Sequence, residues 1–62
     1  MIKPEAKLIG ADGNIFNLMG IAMRALKEHD MRDEAKEMCA RIFSSKSYDE
    51  ALQIIMEYVE VI

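Results

Sequence analysis

The chain holds one cysteine, one histidine, one proline and no tryptophan. A lone thiol, Cys39, excludes a disulfide within the chain and fits a reducing cytoplasm better than a secreted framework. One Cys with one His falls short of the four nitrogen or sulfur ligands of a structural zinc site, so no metal is expected, and no cofactor motif stands in its place. No stretch approaches the eighteen or so consecutive apolar residues of a membrane span, and Met1 to Lys7 lacks the apolar core of a signal peptide. A cytoplasmic protein with no membrane partner is the expectation. Basic residues are also short: 8 against 11 acidic ones, for a formal charge of −3. The deficit is concentrated in residues 47–62, which carry Asp49, Glu50, Glu57 and Glu60 and no cation. The basic footprint of a nucleic-acid binder is missing, and nucleic acid is not expected as a partner.

What the chain has in plenty is apolar residues, 52% of only 62. A chain so short buries about 60% of the surface its unfolded form exposes, which leaves stability marginal and apolar surface over for an unknown protein partner or for self-association. The richest stretch is Ile15 to Leu26. At 100° per residue it keeps Asn17, Gly20, Arg24, Lys27 and Glu28 on roughly 100° of arc and leaves the rest apolar, the pattern of a central helix with neighbours on two sides. Asn14 is its expected N-cap, accepting from the amide of Phe16 or Asn17, after a turn in which Gly13 permits positive φ. The helix should run to about Glu28. Gly20 within it either admits another backbone or is tolerated.

Asp30 is the expected N-cap of a second helix, about Met31 to Ser44, with Met31, Ala35, Met38, Cys39 and Ile42 on one stripe and Phe43 beside it. Glu37 should pair with Arg41 one turn on. Ser47-Tyr48-Asp49-Glu50 is a capping box opening a third helix, with Asp49, Glu50, Gln53, Glu57 and Glu60 on one face and Tyr48, Ala51, Leu52, Ile55, Met56, Tyr58 and Val59 on the other. The β-branched close, Val59 to Ile62, suits an extended tail, which could pair with Lys7 to Gly10. Residues 1–7, with Pro4, read as a flexible, extended lead. The fold expected is mainly α: a compact three-helix domain over residues 1–62, with a short extended N-terminal segment paired with the C-terminal tail.

No constellation in the sequence carries chemistry. His29 at a turn and Cys39 more than two helical turns away are out of hydrogen-bonding reach, so they read as helix terminus and core filler, and no enzyme is expected. The turn from Gly10 to Asn14 aims amides at a helix N-terminus, but it lacks the phosphate-loop lysine and glycine spacing, and Asp12 would repel an anion. Met19, Met23, Met38 and Met56 fall on stripes that face the core. A helix-turn-helix reading fails on its third helix, which would offer Asp49, Glu50, Gln53 and Glu57 to a DNA groove. The candidate interaction residues are Asp12, Gly13 and Asn14 in the turn and Tyr58, Val59, Val61 and Ile62 in the closing stretch. The function expected is a non-catalytic protein-interaction module. The alternative is a small nucleic-acid-binding regulator acting through Arg24, Lys27, Arg32, Lys36 and Arg41.

Leu8-Ile9-Gly10, Asp12-Gly13-Asn14, Phe16 and Gly20, followed by Tyr48-Asp49 and Met56-Glu57-Tyr58-Val59, resemble a family of short uncharacterised bacterial proteins often encoded on conjugative or phage-like mobile elements. The resemblance covers nearly the whole chain. It implies a bacterial or mobile-element origin and carries no activity and no functional residues.

Overall fold

Asn14 sets the start of the first helix in the computed structural model, which describes residues 2–62; Met1, the first residue of the expected lead, lies outside them. Its side chain accepts from the amide of Phe16 at 2.9 Å, and α1 runs Ile15–Glu28 as the periodicity requires. Leu18, Met19, Ala22, Ala25 and Leu26 turn inward. α2 (Arg32–Phe43) and α3 (Tyr48–Tyr58) pack against it and against each other. The result is a mainly α, three-helix fold with one hydrophobic core, closed by a two-stranded ribbon of β1 (Glu5–Ala6) and β2 (Glu60–Val61).

The α1–α2 connection differs from the expectation. Asp30 does not cap α2: it sits at φ 60°, the left-handed region, one residue beyond the C-cap His29. Its amide donates to Lys27 O at 3.1 Å and that of Met31 to Leu26 O at 2.8 Å, the paired bonds of a Schellman motif with aspartate where glycine is usual. The N-cap of α2 is Met31, with no side-chain bond. Asp30 thus terminates one helix instead of starting the next, because the connection is too short for separate stop and start signals.

Ser47 caps α3 as expected, its hydroxyl accepting from the Glu50 amide at 3.1 Å. The reciprocal bond is displaced by one residue, since the Glu50 carboxylate takes the amide of Lys46 at 3.0 Å. α3 ends at Tyr58, and Val59 is already extended. Its inward face is Ala51, Ile54, Ile55 and Tyr58, so Ile54 belongs to the core while Tyr48 and Met56, placed there by the pattern, are exposed. Met38 is fully buried and Met19 nearly so.

The tail pairs with the N-terminal segment in parallel, two residues earlier than expected: Glu5 lies opposite Glu60 and Ala6 opposite Val61. Residues 4–9 alternate strictly, with Pro4, Ala6 and Leu8 buried and Glu5, Lys7 and Ile9 exposed, and that period-two pattern selects the register. The lead is therefore not free over residues 4–6. Glu60 N donates to Pro4 O at 2.9 Å and Ile62 N to Ala6 O at 3.0 Å. Ile62 O then accepts from both Leu8 N and Ile9 N at 2.9 Å, where the strand gives way to a turn closed by Ala11 N on Leu8 O. Gly10, at φ 87°, supplies the positive φ of that turn, a role the sequence pattern gave to Gly13.

Candidate functional site

The turn of Asp12, Gly13 and Asn14 is exposed, but its polar groups are occupied. Asp12 Oδ1 accepts from the Asn14 amide and the Asp12 carbonyl from Asn17 Nδ2, each at 2.9 Å, while the Gly13 carbonyl accepts from the Tyr48 hydroxyl of α3. The turn is built to start α1 and to tie it to α3. That accounts for its elaborate chemistry without a ligand. In the closing stretch Tyr58 and Val59 are core residues, a correction to their candidacy as contact residues. Val61 packs partly buried against the core, and Ile62 exposes its side chain while its backbone binds residues 6, 8 and 9. No hydrogen bond joins the turn to the closing stretch among the described residues.

The charged groups between α2 and α3 form a closed network. Tyr58 donates its hydroxyl proton to Glu37 and accepts from Arg41 Nη1 at 3.3 Å. Arg41 does not pair with Glu37 along its own helix; its guanidinium grips both carboxylate oxygens of Glu57, at 2.8 and 3.0 Å, and lies 5.7 Å from the centre of the Tyr58 ring. Burial first, and then the bond to Glu37, push the Tyr58 phenol above its ordinary pKa, against the opposing pull of Arg41. The hydrogen bonds from Arg41 hold the Glu57 carboxyl below its ordinary value. Each member is bonded to another, so the cluster docks α3 on α2.

The sequence's other reactive groups are similarly placed. His29 Nδ1 lies 2.9 Å from Ala25 O; a carbonyl can only accept, so that nitrogen carries the proton and the ring closes the end of α1. Cys39 is half-buried, and burial pushes its thiol pKa up, against a smaller effect from Lys27, which is the opposite of what a nucleophile needs. Among the described residues no three His, Cys, Asp or Glu side chains gather as metal ligands would.

What remains open is the seam where α2 runs back beside α1. Phe16, on the first turn of α1, meets Phe43, the last residue of α2, with ring centres 6.3 Å apart and planes tilted by 40°. Both are largely exposed, at 61% and 67%, as is Tyr48 at 50%. These three rings flank a groove of about 270 Å³ that reaches down to Ile42 and Ala51. Phe43 also borders a second, mostly apolar trough of about 580 Å³ along the seam, lined by Met23, Ala35, Cys39 and Ala40 and by the cations Lys27, Arg32 and Lys36. Sequence reasoning missed this surface by counting Phe16 in the apolar arc of α1 and setting Phe43 beside the apolar stripe of α2. A signal was present: at 100° per residue Phe16 falls about 20° from Lys27, and Phe43 between Arg32 and Lys36. Arg41, grouped with these cations on sequence, points to α3 instead. Among the described residues no helix is long and apolar enough to cross a membrane. No family model, characterised protein or solved structure matches the chain.

Proposed function

We propose that this chain is a non-catalytic protein-interaction module whose contact surface is the α1–α2 seam. One observation carries the reading: of four aromatic residues, two Phe and two Tyr, only Tyr58 is buried, and the other three stand exposed around one groove. Aromatic side chains left half to two-thirds in water forgo about 1–2 kcal/mol of burial each, which a partner's surface would recover. The partner belongs to a bacterial or mobile-element system on the sequence resemblance alone, and the cytoplasmic setting rests on the single thiol. Capture from extracts of the source organism tests the contact surface. The wild-type chain retains a partner that Phe43→Ser does not, while the variant melts within about 1 kcal/mol of wild type, since it loses only an exposed ring pair. Retention of the same proteins by both chains would refute it.

A second reading, a nucleic-acid-binding regulator, draws support from Arg24, Lys27, Arg32 and Lys36, which border adjoining grooves on the same side of the molecule. The apolar floor of the seam is what ranks it second, because phosphates are met by cations and donors.

A further inference from the structure

Resting on the reading of the seam as a contact surface, we propose that its occupant is an acidic amphipathic helix. The trough offers two chemistries at once. Its floor is apolar, with Met23, Cys39 and Phe43 presenting adaptable sulfur and aromatic surface, and its edge carries Lys27, Arg32 and Lys36. No acidic residue lines it, and none of the three cations forms an ion pair among the described residues. This concentration of positive charge runs against the net −3 of the chain. On α2, Glu37 and Arg41 face α3, whereas Arg32 and Lys36 face the seam.

The dimensions suit a helix. From Arg32 to Phe43 the α2 side of the trough rises about 16 Å, three turns, which matches apolar anchors at i, i+4, i+7 and i+11 on a partner helix. Acidic residues flanking those anchors meet Lys27, Arg32 and Lys36. A second copy docking face to face would instead set these cations against their counterparts, and a duplex would leave the floor unfilled.

The test uses the isotopically labelled full chain, titrated with two synthetic amphipathic helical peptides that share the same leucine anchors and differ only in flanking Glu or Lys, and with a short DNA duplex. The Glu peptide should shift the amides of Met23, Lys27, Lys36, Cys39 and Phe43 to saturation. Its affinity should exceed that of the Lys peptide by about tenfold or more, fall with added salt, and drop in Lys36→Glu, an exposed substitution whose own spectrum reports that the fold is kept. Equal binding of both peptides at the seam overturns the charge selection and leaves the contact surface standing. Absence of the Glu peptide from the seam overturns the proposal, and loss of the Phe43 dependence in partner capture separately overturns the reading beneath it. The same amides shifted by the duplex in preference to the Glu peptide, or by dilution of the chain alone, assign the seam to nucleic acid or to a second copy and overturn the proposal.

Discussion

Replacing Asp30 by glycine should stabilise the protein. Asp30 holds φ 60° to let the amides of residues 30 and 31 close the end of α1, and a side-chain-bearing residue there costs roughly 1–2 kcal/mol. Glycine relieves that strain but adds freedom to the unfolded chain, returning about 0.5–1 kcal/mol. The lost carboxylate matters little, for it lies between the negative end of α1 and the positive end of α2 and the two dipole effects offset. The net gain is about 0.5–1 kcal/mol, or a rise in Tm of roughly 2–8 °C for a domain of this size. Thermal unfolding followed by circular dichroism measures it, with Asp30→Ala as the companion: it removes the carboxylate and keeps the strain, and should not share the gain. Had Asp30 been the cap of α2, glycine would cost a few tenths and alanine about 1 kcal/mol. A lower Tm for Asp30→Gly would therefore refute the assignment of this residue to the end of α1.

Gly20→Ala should also stabilise, by about 0.5–1 kcal/mol, because a methyl group at this exposed helical position meets nothing within 4 Å; a lower Tm in the same melt would mean that the site is not open. Tyr58→Phe should cost up to about 1.5 kcal/mol through the lost bond to Glu37. It should also change the alkaline limb. The raised Tyr58 pKa means that the native state keeps a proton the unfolded chain releases, so its stabilisation is complete below about pH 10 and lost as pH rises through the raised value. Tm measured from about pH 8 to 11 should fall more steeply for wild type than for Tyr58→Phe, and coincident slopes would contradict the linkage.

Elements whose signals are local were legible in the sequence. Asn14 and Ser47 announce their helices by a side-chain oxygen placed two or three residues before the amide it accepts, and the β-branched close after Tyr58 announces the extended tail. What needed three dimensions was misread. Glu37 and Arg41 are suitably spaced for a pair on one helix, but α3 brings Tyr58 and Glu57 within reach and each finds a partner there. Asp30 suits the start of a helix by composition and ends one by geometry, a conflict that arises because a short connection makes one residue neighbour to both termini. Of the candidate site, the turn at 12–14 proved to be an anchor and Tyr58 and Val59 proved to be core. The aromatic seam was hidden because periodicity marks a side chain as apolar without saying whether a neighbouring helix reaches it.

The ribbon of Glu5–Ala6 with Glu60–Val61 has a consequence for the order in which the molecule assembles. It joins positions 55 apart in the chain, and closing such a loop in an unfolded polymer costs upward of about 3.5 kcal/mol, which a few hydrogen bonds near 1 kcal/mol each cannot offset once residues must also be ordered. Glu5 opposite Glu60 adds repulsion. Pairing must therefore wait until the helices have drawn Leu8 and Tyr58 into one core. The ribbon is the last piece to form and the first to open, and the exchange rates of the Glu60 and Ile62 amides report the closing step alone, while those of the α1 interior report the collapse that makes it possible.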